Sequence, residues 1–334
     1  MPLSGMRVRK MLKDQFGRTI NYMRISVTDR CNLRCRYCMP HGIVLKPMEE
    51  ILQYEEIALI CAQAAGLGID RFRITGGEPL VRKDCEALVS MLKAVPGVRQ
   101  VALTTNGVLL AEKLDALLAA GLDAVNVSLD TTDREQYREI TGTDGLDRVL
   151  DSIRLAAGRL PVKINCVVQR GVNEDAPAEL AGLARNLPVD VRFIELMPIG
   201  EAKEMQAVPS TEVLRRIEET YGQTEPDAGK RGNGPAVYRQ LDGFTGRIGF
   251  ISAVHGKFCG TCNRLRLTSA GELKPCLCYG DVIPLREILR DGRGGKEERI
   301  REKILEEVKN KPMAHCFERR AGVTENREMV SIGG

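Results

Sequence analysis

One periodicity constrains this chain more than any other feature. Six short β-like segments, Arg24–Thr28, Arg71–Thr75, Val101–Thr105, Ala124–Leu129, Val162–Val168 and Val191–Leu196, are separated by stretches of helical spacing. Among the latter are Tyr54–Leu67, Cys85–Ala94, Glu112–Ala119, Asp147–Ala157 and Ala178–Asn186. Strands joined through helices pair in parallel through right-handed crossovers, so the pattern predicts an α/β fold. Six units fall short of the eight that close a barrel. A partial (β/α)6, TIM-like barrel is expected, with a doubly wound sheet as the alternative. Alternation within the strands favours the barrel. Asn126, Ser128 and Asp130 share one face against Val125, Val127 and Leu129; Lys163 and Asn165 oppose Ile164 and Cys166; Thr104 and Asn106 share a face. Strands covered by helices on both sides read instead as continuous apolar runs. The apolar faces therefore need the helices, and the polar faces are left to line a concave interior able to hold a large polar ligand.

The pattern changes after Gly200. Gly229–Pro235 reads as a loop; the short segments Ala236–Arg239 and Gly246–Ile251, a cysteine cluster and a charged helix from Lys296 to Asn310 follow. The expected division is a barrel over 1–200 and a smaller α+β region over 201–334 that closes the barrel mouth. With 49 Lys+Arg against 45 Asp+Glu, the net charge of +4 gives no argument for nucleic-acid or membrane binding. The longest mostly apolar stretch, Ile57–Ile69, is too short to span a bilayer. Residues Met1 to Gly17 carry Arg7, Arg9, Lys10 and Lys13 without an apolar run, so no secretory signal is expected. A cytoplasmic chain is expected, in which the eleven cysteines are ligands or small core residues rather than disulfides.

Two groups of cysteines stand out. Cys31, Cys35 and Cys38 are spaced C-x3-C-x2-C directly after the first strand. Three thiolates on one loop can hold three irons of a four-iron four-sulfur cluster and leave the fourth iron open. A zinc site completed by His41, or plain buried thiols, is the alternative. Cys259, Cys262 and Cys276 are spaced C-x2-C-x13-C, which taken alone suits zinc, with Cys278 available as a fourth ligand. Between them, Asn263–Leu267 read as a strand would project Arg264 and Arg266 together and pack Leu265 and Leu267 behind. Two guanidinium forks on one face suit polyphosphate or carboxylate, although most such pairs are simply solvated. No G-x4-G-K-[ST] loop is present, so basic side chains would have to hold any nucleotide phosphate. Cys61 and Cys166 read as core, and the three histidines, His41, His255 and His315, as structural or solvated. The chain finishes Ser331-Ile332-Gly333-Gly334, a frayed end or a thread slim enough for a crowded site.

In this setting the sequence resembles the radical S-adenosylmethionine superfamily, through C-x3-C-x-aromatic-C with Tyr37 in the aromatic place and Gly76-Gly77-Glu78-Pro79 ending the second strand. Over nearly its whole length, from Phe16 to Gly334, it resembles that superfamily's GTP 3′,8-cyclase family of molybdenum cofactor biosynthesis. The resemblance is carried by Thr28–Pro40, Arg73–Arg82, Thr104–Gly107, Val127–Asp130, Arg192–Gly200, Phe258–Thr268, Cys276 and the terminal Gly-Gly. It implies a lyase that uses two four-iron four-sulfur clusters, one on Cys31, Cys35 and Cys38 and one on Cys259, Cys262 and Cys276. It implies S-adenosylmethionine contacts at Tyr37, Gly77, Ser128 and Met197. GTP contacts are implied at Arg24, Arg73, Thr104 and Lys163 and along Arg264, Leu265 and Arg266, with Arg192 as a further phosphate ligand. The Gly333-Gly334 tail would reach the site near the adenosylmethionine end. A 5′-deoxyadenosyl radical would take hydrogen from the ribose 3′ carbon of GTP, and the sugar radical would add to carbon 8 of guanine. No side chain is implied as general acid or base. The implied partners are GTP, an external electron donor and a downstream cyclic pyranopterin monophosphate synthase, on a monomer or homodimer. A different radical enzyme acting on a peptide or RNA would keep the first triad without needing the Arg pair or the tail. Anaerobically purified protein is expected to be brown, with about eight irons and eight sulfides per chain; two zinc ions in a colourless protein would exclude the radical reading.

Overall fold

The structure is a computed structural model that describes residues 11–229 and 231–333. The expected strands form as β1 (Tyr22–Ser26), β2 (Arg71–Thr75), β3 (Gln100–Thr105), β4 (Ala124–Ser128), β5 (Val162–Val168) and β6 (Val189–Glu195). They lie side by side in chain order, every neighbouring pair parallel. A doubly wound sheet reverses its strand order at a switch point; here there is none, so successive crossovers progress one way, as in a barrel wall.

The crossovers are α1 (Tyr54–Leu67), α2 (Cys85–Ala94), α3 (Leu110–Ala119), α4 (Arg134–Thr141), α5 (Leu146–Ala156) and α6 (Pro177–Asn186). α4 escapes the sequence reading because only Tyr137, Ile140 and Thr141 of it are buried, too few for a clear apolar period. It is defined instead by its ends: Asp133 accepts from the Gln136 amide, and Gly142 stops it at φ +73°. Ile25, Phe72, Ile74, Leu103, Val125, Val127, Ile164, Val191 and Phe193 form the buried outer face of the sheet beneath these helices. Cys61, Cys85 and Cys166 lie in the same core. Among the described residues, no helix is long and apolar enough to cross a membrane.

Beyond β6 the chain adds α7 (Ser210–Tyr221), β7 (Glu225–Asp227), β8 (Val237–Gln240), β9 (Ile248–Ile251), β10 (Arg264–Leu267), β11 (Glu272–Lys274), β12 (Ile283–Pro284), α8 (Leu285–Arg290) and α9 (Lys296–Lys309). Its strands continue the barrel sheet at both edges. β9 pairs in parallel with β6, and β8 and β7 follow; β10 pairs in parallel with β1, and β11 and β12 follow. The result is one twelve-stranded sheet whose end strands, β12 and β7, do not pair with each other among the described residues. A second, small apolar cluster of Ile199, Leu277, Cys278, Cys316, Phe317 and Ile332 sits apart from the main core.

The turn into β9 leaves no room for a side chain. The Gly246 amide donates to the Ala184 carbonyl at 2.8 Å, and a Cβ on Gly246 would lie 1.8 Å from the Val189 carbonyl oxygen. Gly246→Ala is expected to cost about 2–3 kcal/mol of stability, read as a lowered urea midpoint; an unchanged midpoint would mean that the turn can shift freely.

Candidate active site

β1 ends at Ser26, and the chain leaves the sheet to form the loop that carries Cys31, Cys35 and Cys38. This loop crosses the Gly76-Gly77 turn at the end of β2. A Cβ on Gly77 would lie 2.4 Å from the Arg30 carbonyl oxygen and one on Gly76 2.8 Å from the Thr28 carbonyl oxygen. The cysteine loop itself therefore demands both glycines, and hydrogen bonds from the Gly77 and Glu78 amides to the Thr28 and Arg30 carbonyls, both 2.8 Å, hold the crossing. Glu78 fastens it from below: its buried carboxylate accepts from the Leu80 amide (3.0 Å), the Thr105 hydroxyl (2.7 Å) and the Asn106 amide (2.6 Å).

The three thiols line a cavity of about 220 Å³ together with Tyr37, Gly76, Gly77, Asn106, Ser128, Asn165 and Met197. All four residues that the resemblance assigns to S-adenosylmethionine are thus brought to the first triad. Met197 enters because β6 ends at Glu195; the ladder would otherwise place it on the opposite face from Arg192. Tyr37 hydrogen-bonds Asp130, whose carboxylate also accepts from the Val167 amide at 2.8 Å and is pushed up to about 6 by burial. Burial, with the Asp130 carboxylate beside it, pushes the Cys35 thiol well above the usual range; burial, with Cys31 beside it, pushes Cys38 up to about 12. Thiolates at these positions need a cationic centre between them. Among the described residues no three His, Cys, Asp or Glu side chains group closely enough for a single ion, and His41 lies exposed. Three soft sulfur donors spread along a loop suit an iron–sulfur cluster, which is wider than one ion.

A second cavity, about 350 Å³, opens along the inner face of the sheet. Arg24, Arg73, Thr104, Lys163, Arg192 and Arg264 all line it, with Tyr22, Asn165, Asp190, Arg231 and the 232–235 loop. Among the described residues, six cationic side chains line it against a single carboxylate, that of Asp190, and one of the six, Arg231, also pairs with Asp227 at 2.7 Å. The register explains the crowding: Arg266, Arg24 and Arg73 stand directly opposite one another across β10, β1 and β2. Burial, then Arg266, holds Arg24 well below its ordinary range; burial, then Arg264, lowers Arg266 to about 10. Arg73 donates to the Tyr22 hydroxyl at 2.6 Å and the Leu103 carbonyl at 3.1 Å. Lys163 donates to Tyr238 and the Arg231 carbonyl, both 2.8 Å, and burial lowers it to about 8. Arg192 donates to Asn165 at 2.5 Å. The two cavities share Arg24, Thr104, Asn165 and Ile194, so they are continuous. Leu265 does not line either one: its side chain is buried in the core with Leu267, and only its flanking arginines face inward. Arg266 lines neither cavity, because its guanidinium donates to the Gly333 carbonyl at 2.8 Å.

The second triad sits beside that arginine strand. Cys259 opens a 3₁₀ turn with Cys262 just after it, and Cys276 follows β11. Burial opposes ionisation of Cys262, but Lys311 and Arg264 outweigh it and bring the thiol down to about 7. Lys311 is buried and donates to the Arg264 carbonyl (2.9 Å) and the Pro275 carbonyl (2.6 Å). Arg18 clamps the other side, donating to Asp14 (2.5 Å) and to the carbonyls of Cys259 (2.9 Å), Pro312 (2.7 Å) and Met313 (3.0 Å). The His315 amide donates to Cys259 Sγ at 3.3 Å. Cys278 turns away into the small apolar cluster, its sulfur 3.5 Å from that of Cys316, which leaves Cys276 as the third thiol. This donor set, flanked by fixed cations, also suits a cluster.

Residues 25–184 match the Radical SAM superfamily and residues 189–317 match Molybdenum Cofactor Synthesis C. GTP 3′,8-cyclase of Moorella thermoacetica is 46% identical over 328 residues, covering 97% of this chain and 100% of that protein. The Pelotomaculum thermopropionicum protein of the same name is 46% identical over 329 residues, with 97% and 100% covered. The chain belongs to the GTP 3′,8-cyclase family. Among solved structures, Streptococcus suis SuiB bound to S-adenosylmethionine superposes with a TM-score of 0.63 at 15% identity, covering 93% of this chain and 77% of that one; identity that low speaks for the shared fold alone.

In this member of the GTP 3′,8-cyclase family, several site residues carry no motif of their own. Tyr22 shares the Arg24 face by alternation, and Asn165 shares that of Lys163, so the strand pattern could have found both. Asp190 shares the Arg192 face on β6 by the same alternation, whereas Tyr238, Arg231, Arg18 and Lys311 reach the site only through tertiary packing. Gly333 crosses the ends of β1 and β2, near Ser26 and Thr75; Gly334 lies outside the described residues.

Glu78 provides a pH test. Burial raises it to about 7 from an ordinary 4.5, so between those values the folded chain binds the extra proton. Its contribution is full below about pH 4.5 and is lost as pH rises through 7, up to about 3 kcal/mol. Glu78→Gln in the cluster-free chain is expected to flatten the fall in stability between pH 5 and 8 in urea titrations; an unchanged slope would move that proton elsewhere.

Proposed function

We propose that the chain converts GTP to (8S)-3′,8-cyclo-7,8-dihydroguanosine 5′-triphosphate, an early step of molybdenum cofactor biosynthesis, as its relatives' name indicates. The observation that carries this reading is the continuity of the cysteine-lined cavity with the cation-lined one through Arg24, Thr104 and Asn165. A radical generated at the first must meet a substrate held in the second, and a nucleoside triphosphate matches six cations against one carboxylate. A peptide or RNA substrate would not call for so concentrated a charge.

When bound, the clusters supply one electron for reductive cleavage of S-adenosylmethionine and an open iron for the guanine. Cys31, Cys35 and Cys38 would hold the first and Cys259, Cys262 and Cys276 the second. Tyr37, Gly77, Ser128 and Met197 would seat adenosylmethionine. Arg24, Arg73, Lys163, Arg192 and Arg264 would neutralise the triphosphate, and Thr104, between the two cavities, would orient the sugar. Arg266 would act through the Gly333 carbonyl that its guanidinium holds. The catalytic work of these groups is orientation and charge; no proton-transferring side chain is required. On this reading 1–200 and 201–334 each bring one cluster, the chain works in the cytoplasm, an external donor supplies the electron, and a cyclic pyranopterin monophosphate synthase takes the product.

Anaerobic incubation with GTP, S-adenosylmethionine and a strong reductant is expected to yield the cyclised nucleotide by mass analysis, together with 5′-deoxyadenosine. Cys31→Ala should abolish both products; retained cleavage would refute the first triad. Arg192→Ala should weaken GTP binding about ten- to a hundredfold with 5′-deoxyadenosine formation retained, and unchanged affinity would remove Arg192 from the phosphate site.

A further inference from the structure

The tail that ends on Arg266 begins on the same strand pair. Lys274, on β11, stands directly opposite Arg266 on β10. Its ammonium is fully buried and donates to Glu325 Oε2 at 2.6 Å and to the Tyr279 carbonyl at 2.7 Å; Glu325 is 1% exposed. Arg327 brackets the same carboxylate at 3.0 Å to each oxygen and reaches Glu272 on β11 at 2.5 Å. The Glu325 amide donates to the Cys278 carbonyl at 3.2 Å, two residues beyond Cys276.

From this root the chain runs across the site. Lys203 donates to Asn326 at 2.9 Å, and the Glu201 amide to Glu328 at 3.2 Å, which ties the segment to the loop after β6. The Val330 amide hydrogen-bonds Cys38, and the Val330 side chain packs where a Cβ on Gly77 would fall. A 3₁₀ turn, Met329–Ile332, then delivers the Gly333 carbonyl to Arg266. One segment thus touches the surroundings of both cysteine triads and the arginine row.

A buried ion pair is a poor source of stability, because desolvating both charges cancels most of their attraction. It does fix a position sharply, since moving either partner strands a buried charge. We propose that Lys274–Glu325, braced by Arg327, is the positioning element of the Gly-Gly tail, and that it couples S-adenosylmethionine cleavage to nucleotide cyclisation. The proposal rests on the function and tail reading given above. The pair touches neither ligand; it acts by aiming residues 326–333.

Glu325→Gln keeps the shape and removes the charge. In reconstituted enzyme, cyclised nucleotide formed per 5′-deoxyadenosine is expected to fall about tenfold or more, with iron content and adenosylmethionine cleavage retained. In the cluster-free chain, amide hydrogen exchange over 326–333 is expected to quicken. A parental ratio with parental exchange overturns the proposal. If Glu325→Gln does not retain its second cluster, Arg327→Ala, at a half-buried position, decides: a ratio lowered several-fold supports the anchor, and a parental ratio overturns it. Deleting Gly333-Gly334 separates the two levels. If the deletion leaves the ratio unchanged, the tail reading itself fails. If it uncouples the enzyme while both anchor variants remain coupled, only the Lys274–Glu325 inference fails.

Discussion

Arg266, Arg24 and Arg73 occupy one register row across β10, β1 and β2, a placement that like-charge repulsion opposes and burial makes worse. Much of the interior can be understood as a response. Tyr22 takes a hydrogen bond from Arg73, Asn165 takes one from Arg192, and the Gly333 carbonyl takes one from Arg266. Each partner is neutral, so it satisfies donors without cancelling charge, and the unspent field remains for a polyanion. The same row excludes an apolar fill, which keeps the barrel interior open.

Two crossings then decide where chemistry can occur. At one, the cysteine loop lies on the Gly76-Gly77 turn so closely that no side chain fits, and Glu78 locks the turn to β3 from beneath. At the other, residues 311–315 wrap the second triad, with Lys311 and Arg18 spending their charge on backbone carbonyls around it. Both sites rest on loops, yet each loop is fastened to strands by buried, fully directed hydrogen bonds.

The strand order and the inward face were legible in the sequence because strict alternation has a single geometric solution once one face must meet helices. Asn126, Lys163 and Asn165 were therefore placed by arithmetic alone. The two cysteine triads, and the four residues that line a cavity with the first of them, were legible through motif, and the shared face of Arg264 and Arg266 through alternation. What escaped depends on contacts between residues far apart in sequence. Nothing local marks Lys274 and Glu325 as partners, or Lys311 as a backbone clamp, and α4 buries too little to show a period. Leu265 shows the reverse error: a contiguous motif assigns three neighbours to phosphate, but a strand can turn only alternate residues to one face. Nor did any local pattern show that the strands of the C-terminal region extend the barrel's own sheet at both edges.

That extension bears on how the chain is made. β1 is complete once residue 26 has emerged, but its edge partner β10 spans Arg264–Leu267, so most of the chain must be synthesised before the pairing can form. Until then the first strand keeps an open edge, the sort of surface that recruits wrong partners. The first cysteine loop hangs from that strand and gains its Val330 contact only after β10 and the segment beyond it have been made. Iron delivered during synthesis would meet the first triad half built. Synthesis of the segment around Val330 is thus also the step that finishes the site begun after β1.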